Sequence, residues 1–270
     1  MNPNKALWEK GDFTRIADGM RASGESFVRS LGIKPGDQVM DLGCGDGTTA
    51  LPAAQLGADV LGVDIAENLV AAGTARAAAA GLTNLTFEQG DASNLAGIAD
   101  HRFDWVISVF GAMFAPRPDV VTKEMVRVTK PGGTIVMGNW IAGDPTLVAQ
   151  VLKISAAYTP PPPEGFVSPV TWGMEDTVVE RFTGAGVMRD RIATERDSFM
   201  FEFQTSPKGA VELFRHYYGP TMNAFDAAER DGRADALQGE LEELFARQNQ
   251  SDSPDRTKVP ATFLRVTVRP

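Results

Sequence analysis

Val39-Met-Asp-Leu-Gly-Cys-Gly-Asp-Gly47 is the stretch whose reading decides the fold. A short apolar run ends in an acid, Asp41, and breaks into alternating glycines, as a strand does when it feeds a tight turn. Thr48-Thr-Ala-Leu-Pro-Ala-Ala-Gln-Leu56 then opens a helix. Gly43 and Gly45 allow positive φ and let backbone N–H groups approach a ligand with no Cβ in the way. A second apolar run, Ala58-Asp-Val-Leu-Gly-Val63, ends in Asp64, 21 residues beyond Gly43. A doubly wound fold places there the carboxylate that holds a ribose. Turn and acid together point to a nucleoside-containing ligand.

The spacing narrows the choice. A dinucleotide fingerprint reads G-x-G-x-x-G, whereas Gly43, Gly45 and Gly47 give G-x-G-x-G with Asp41 and Asp46 in the turn. Carboxylates repel a pyrophosphate and suit a ligand bearing a cationic amine or sulfonium. The stretch resembles the first motif of the class I S-adenosylmethionine-dependent methyltransferases. Further pieces follow in that family's order: Asn84-Leu-Thr-Phe-Glu-Gln-Gly-Asp-Ala92, the apolar strand and loop Phe103–Pro116, and Pro131-Gly-Gly133 before the strand Thr134–Trp140. These motifs span residues 35–140.

The resemblance implies an α/β fold, a Rossmann-like seven-stranded doubly wound sheet with its last strand antiparallel, helices on both faces and a helical lid insertion. It implies S-adenosyl-L-methionine as cofactor, S-adenosyl-L-homocysteine as product, and no metal. Asp41 with the Gly43 and Gly45 backbone would surround the methionine amine and ribose edge, with Cys44 a packed member of the turn. Asp64 would take the ribose hydroxyls and Ile65 would pack on adenine. Gly90, Asp91 and Ala92 would read the adenine edge, and Val109 and Phe110 would flank the methionine portion. Phe13 and Arg15 would close over the cofactor, with Arg15 meeting its carboxylate.

Outside those motifs, Trp8–Ala17, Ser108–Pro116, Ser168–Gly173 and Phe214–Thr221 resemble a bacterial branch related to the ubiquinone and menaquinone biosynthesis methyltransferases. The acceptor is expected to be a small aromatic, quinoid or other secondary metabolite, methylated on oxygen, nitrogen or carbon. Phe114, Asn139, Trp140, Trp172 and Tyr218 are the candidates for framing it. His216 is the candidate general base, with Tyr217 as an alternative that orients the acceptor by hydrogen bonding. The loop after Val109 lacks the Asn/Asp-Pro-Pro-Tyr/Phe motif of amino-directed DNA and protein-glutamine methyltransferases. Two rival classes share the sheet: an NAD-dependent oxidoreductase, which wants a different glycine spacing and an uncharged turn, and a non-catalytic S-adenosylmethionine-binding protein.

Composition agrees with a soluble intracellular enzyme. The 270 residues are 43% hydrophobic, enough for one sizeable core. With 26 Lys and Arg against 35 Asp and Glu, the net charge is −9. That balance gives no basic footprint for a nucleic acid. The single cysteine, Cys44, excludes an intrachain disulfide and suits a cytoplasmic location. The amino terminus shows no apolar secretory core, and no run approaches membrane-spanning length. The oligomeric state is not readable.

The expected organisation is one methyltransferase domain over 1–270, with a cofactor core at 35–140. Residues 144–250 supply substrate-side insertions and a lid, interrupted by an edge strand near 192–204, and 262–268 is the closing strand. Helices are expected at 14–30, 51–56, 67–80, 120–128, 144–158 and 175–182, and through 207–248. Pro160–Pro163 is expected to stiffen a wall over the site.

Overall fold

A computed structural model describes residues 4–270; the first three residues, part of the amino terminus read above as free of a secretory signal, lie outside them. The chain enters through α1 (Asn4–Glu9), α2 (Thr14–Ala17) and α3 (Arg21–Ser30). The helix expected over 14–30 is therefore interrupted, by a 3-10 turn at Asp18–Met20. Gly19 explains the interruption: a Cβ there would lie 2.4 Å from the Phe203 ring, so the turn sits directly against the sheet.

The alternating core follows as β1 (Gln38–Leu42), α4 (Ala50–Gln55), β2 (Asp59–Asp64), α5 (Glu67–Ala79), β3 (Leu85–Gln89), β4 (Phe103–Val109), α6 (Pro118–Val128) and β5 (Thr129–Trp140). Then come α7 (Leu147–Ala156), α8 (Glu175–Gly184), β6 (Ile192–Phe203), α9 (Pro207–Tyr217), α10 (Gly219–Arg230), α11 (Ala234–Gln248) and β7 (Thr257–Val268). The seven strands form one sheet in the order β3-β2-β1-β4-β5-β7-β6. Strands β1 to β5 pair in parallel, and β7 runs antiparallel to both neighbours. This is the Rossmann-like sheet expected from the sequence. Strand order reverses between β1 and β4, and ligands of open α/β sheets bind at that point, beyond the strands' carboxyl ends.

Two boundaries differ from expectation. β5 starts at Thr129, and Pro131-Gly-Gly133 is absorbed as an irregularity where pairing jumps from Phe103↔Thr129 to Trp105↔Thr134. β7 starts at Thr257 because β6 pairs with it along its whole length, from Ile192↔Val268 to Phe203↔Thr257. That long ladder overrides the weak strand pattern of Lys258-Val-Pro260. Within 207–248 the three helices present apolar stripes, Ala210, Val211 and Phe214 on α9, Ala224, Phe225 and Ala228 on α10, and Leu237, Leu241, Leu244 and Phe245 on α11. These stripes pack α9 and α11 on each other, with α11 also on α7. Among the described residues no helix is long and apolar enough to cross a membrane.

Candidate active site

At the β1–β4 reversal lies a cavity of about 930 Å³, counting the space at its mouth. The β1 turn supplies Gly43, Cys44, Gly45 and Asp46 to its wall, and the tip of β2 supplies Asp64 and Ile65. Gly90 and Ala92 come from beyond β3, and Val109, Phe110 and Gly111 from the end of β4. Parallel strands make this convergence unavoidable, because right-handed crossovers bring every carboxyl end to one edge.

The turn is held by its own acids. The Asp64 carboxylate accepts Gly45 N–H at 2.8 Å and Ala66 N–H at 2.9 Å, leaving lone pairs on both oxygens. Asp41 accepts the Thr49 hydroxyl at 2.6 Å through Oδ2, while its buried Oδ1 has no partner. Burial pushes the Asp41 carboxyl up to about 7 and raises the Asp64 carboxyl as well. Burial likewise drives the Cys44 thiol upward, so it is no nucleophile. Asp46, 1% exposed, is clamped by Arg21, whose Nη1 donates to Oδ1 at 2.8 Å and whose Nη2 donates to Oδ2. Its charge is therefore compensated by an arginine, although the residue also contributes to the cavity wall.

Two close approaches fix the turn against the β4 loop. A Cβ on Gly111 would sit 2.3 Å from the Gly43 carbonyl oxygen, whereas one on Gly45 would meet open space. Gly45 lines the cavity, so the space above it has room for a ligand group.

A second cavity of about 330 Å³ adjoins the first, sharing Trp8, Phe13, Met20, Phe110 and Phe114 with it. Its remaining wall is Ile16, Trp140, Val148, Phe201, Phe214 and Tyr218. Burial raises the Tyr218 hydroxyl above the ordinary phenol range, so it stays protonated.

The expected site residues divide clearly. Phe13, Gly43, Cys44, Gly45, Asp64, Ile65, Gly90, Ala92, Val109, Phe110 and Phe114 line the larger cavity, and Trp140 and Tyr218 the smaller. Asp41 and Asp91 stand just behind the wall, Asp91 accepting Ser93 N–H at 2.8 Å.

Five others are placed away from both cavities. Arg15 is exposed with its guanidinium over the Tyr217 ring, 5.8 Å from the centroid. His216 is exposed, its Nδ1 2.8 Å from the Glu212 carbonyl, and Tyr217 beside it lines neither space. His216 lies on the outer side of α9, because two residues past the inward Phe214 a helix has turned away from the core, whereas Tyr217, three residues past it, is half-buried against the core but reaches neither cavity. Trp172 is buried in the core, edge-on to Phe182 and under the Arg181 guanidinium. Asn139 is fully buried with both polar side-chain atoms unpartnered, and lines neither cavity. Strand alternation turns it to the sheet face opposite Trp140. The stretch 160–167 is exposed and contributes to neither wall.

Residues the sequence reading missed include Trp8, Met20, Thr48, Thr49 and Phe199 on the larger cavity and Ile16, Val148, Phe214 and Phe201 on the smaller. The period-two alternation of Phe199, Phe201 and Phe203 was the available signal for Phe199 and Phe201. Trp8 carried no local pattern beyond its place in the resembling stretch Trp8–Ala17, since α1 is a short helix with no buried residue.

Known proteins bear on this geometry. The family described as "Methyltransferase domain" matches residues 39–133. An uncharacterised protein of Mycobacterium tuberculosis strain H37Rv is 34% identical over 246 residues, covering 89% of this chain and 86% of that protein. The demethylmenaquinone methyltransferase of Bacillus cytotoxicus is 38% identical over 112 residues, 40% of this chain and 47% of that enzyme. In structure, the YcgJ protein of Bacillus subtilis superposes with a TM-score of 0.58 at 18% identity, covering 92% of this chain and 98% of that one, which speaks to the fold. Neither the nicotinamide-dependent nor the non-catalytic reading is favoured by these matches.

The residues present fit S-adenosyl-L-methionine. Acids stand at the tips of β1 and β2, Asp64 on the wall itself and Asp41 buried with one unpartnered oxygen, Ile65 and Leu69 give an apolar wall, and the space over Gly45 is open. With the matched family, these features identify the chain as a class I S-adenosylmethionine-dependent methyltransferase, of one kind with the mycobacterial protein and related to the quinone-biosynthesis methyltransferases.

Proposed function

We propose that the larger cavity holds the cofactor and the smaller one a small-molecule methyl acceptor, aromatic or quinoid in character. The observation that carries this reading is the shared wall of Trp8, Phe13, Met20, Phe110 and Phe114 between two adjoining, mainly apolar spaces. The larger adds the carboxylates and bare backbone of the β1 and β2 tips; the smaller adds none. Asp64 binds the ribose hydroxyls and Ile65 packs on adenine. Gly90, Asp91 and Ala92 engage the adenine edge, and Asp41 with the Gly43–Gly45 backbone faces the methionine amine. Bound S-adenosylmethionine supplies an activated methyl group.

The protein's own contribution is then orientation and exclusion of water, since in-line displacement needs the acceptor atom held close and collinear. Val148, Phe201, Phe214 and Tyr218 come from residues 144–250, which supports reading that stretch as the substrate-side cover of a single catalytic unit spanning 1–270. Tyr218, held protonated by burial, is the one ionisable side chain on the wall of the acceptor space, so no residue of that wall takes the acceptor's proton.

Titration calorimetry with S-adenosylhomocysteine, followed by incubation with S-adenosylmethionine and a metabolite extract, tests the proposal. The expected result is binding, plus a species heavier by one methylene found by mass spectrometry. No affinity for the homocysteine product would end it.

A further inference from the structure

The smaller cavity has an unusual polar inventory. Among the eleven residues of its wall, only Trp8, Trp140 and Tyr218 carry a nitrogen or oxygen on the side chain. Each is a donor: two indole N–H groups and one phenol O–H. None of the three makes a hydrogen bond to another described residue, although Trp140 is 3% and Tyr218 5% exposed. Buried polar groups are normally paired, and an unpaired one costs free energy unless a ligand or water completes it. No Asp, Glu, His, Lys or Arg lines the space.

Such a wall discriminates among ligands by chemistry. An ammonium finds only the Tyr218 oxygen to accept from it, and a phosphate dianion brings concentrated charge that three neutral donors leave undercompensated. A neutral hydroxyarene brings an O–H that finds only the Tyr218 oxygen to accept it. The corresponding phenolate brings lone pairs alone, spreads its charge into a ring, and meets donors whose bonds strengthen when the acceptor is ionised. The stacked pair Phe110–Trp140, with ring centroids 3.5 Å apart, adds a flat aromatic wall for that ring.

We propose that the smaller cavity selects a planar hydroxyarene in its ionised form, with Tyr218 Oη donating a hydrogen bond to the arene oxygen and the Trp8 and Trp140 indole N–H groups completing the donor set. The proposal deepens the functional reading above, on which it rests for calling this space the acceptor's. Tyr218 is a donor here and not a base: burial holds its hydroxyl protonated.

The probe is 4-nitrophenol, whose ionisation is read by visible absorption, with 4-nitroanisole and 4-nitrobenzoate as comparisons. Each is titrated into the full-length protein with and without S-adenosylhomocysteine. The expected result is that bound 4-nitrophenol ionises at lower pH than in free solution and binds more tightly than either comparison compound. Tyr218→Phe should weaken nitrophenolate binding about tenfold, leave 4-nitroanisole unchanged, and leave the affinity for S-adenosylhomocysteine native. Val148→Trp, which fills the space without touching a donor, should abolish probe binding and keep S-adenosylhomocysteine binding.

Bound probe that ionises at or above its free pH overturns the inference, as does tighter binding of 4-nitrobenzoate. So does a Tyr218→Phe protein that binds S-adenosylhomocysteine and treats nitrophenolate as the native protein does. If Tyr218→Phe fails to fold, the ionisation shift in the native protein and the Val148→Trp result still decide. Absence of S-adenosylhomocysteine binding to native protein would instead count against the cofactor reading, and the titrations without it judge the donor set separately.

Discussion

The phenyl ring of Phe110 lies flat on the indole of Trp140, their centroids 3.5 Å apart and their planes 10° from parallel. Phe110 achieves this with φ of 59°, a left-handed backbone that an aromatic residue rarely adopts. Phe199 and Phe263 meet the same ring edge-on at 5.1 and 5.3 Å, so the surrounding aromatics over-determine the strained residue. Phe110 lines both cavities and forms part of the partition between them. Phe110→Ala should merge the two spaces and lower stability by about 3 kcal/mol, the usual cost of deleting a buried phenyl. Methyl transfer should fall much further than affinity for S-adenosylhomocysteine. Thermal denaturation and calorimetry read the two effects, and a variant with native turnover would show that the partition has no role in aligning the acceptor.

Asp64 anchors the turn and, on the proposal, the ribose. Asp64→Asn keeps the shape but sets an amide against Gly45 N–H or Ala66 N–H, each of which now donates to a carboxylate oxygen. Losing charge-assisted bonds of this kind costs about 1.5–3 kcal/mol. S-adenosylhomocysteine should bind roughly tenfold to a hundredfold more weakly, with the fold intact by circular dichroism. Unchanged affinity would place the ribose elsewhere.

The readable part of this site is the part made by parallel strands. β1 and β4 are covered on both faces, so they appear as continuous apolar runs, and the residue that breaks each run marks the sheet edge where ligands sit. Asp41, Asp64, Gly90 and Val109 were legible for that reason. The acceptor side is built from helices and an antiparallel ladder, where phase decides which side chain turns inward. Phe214 and Tyr218 are four residues apart and share a face, whereas His216 between them points outward and Tyr217 packs on the core without reaching the cavity. Composition singled out His216 because histidines are scarce; the helical phase, equally present in Ala210, Val211 and Phe214, would have rejected it. Asn139 and Trp140 were paired as neighbours although strand alternation separates them. Trp8 was legible only as a fragment of family resemblance, for its position depends on contacts with Phe13 and Phe114, distant in kind from any local pattern.

Burial raises the Asp41 carboxyl from 3.8 to about 7, so the folded protein binds this proton more tightly than the unfolded chain does. Between those two values the native state holds more protons than the unfolded state, and stability falls as pH rises through the window. The full cost of ionising Asp41, reached above about pH 7, is roughly 4 kcal/mol as an upper bound. Asp41→Asn should remove that slope: relative to native protein it gains stability between pH 4 and pH 7 and holds the gain above. Denaturant midpoints at pH 5 and pH 8 measure the difference. A native protein whose stability rises over that interval by as much as the variant's would mean that Asp41 is ionised at little cost.

Arg21 holds the Asp46 carboxylate that would otherwise sit buried at the mouth of the turn. Both guanidinium nitrogens engage it, Nη1 also reaches Thr48 Oγ1 at 2.8 Å, and Arg76 lies 3.6 Å away. Asp46 is 1% exposed while the Arg21 side chain is 24% exposed, so the pair has one desolvated member that depends on the other. Breaking such a pair from one side leaves an uncompensated charge and costs about 3–5 kcal/mol; Arg21→Gln should fall at the low end, because Arg76 remains. Thr48 and Asp46 both line the larger cavity, so S-adenosylhomocysteine affinity should drop together with stability. Adding Asp46→Asn to Arg21→Gln removes the stranded charge, and the double variant should recover much of the lost stability. Chemical denaturation of the four proteins in a double-mutant cycle isolates the coupling. Purely additive losses would show that Arg21 stabilises the turn through packing, and the acid in the first motif would then need another source of compensation.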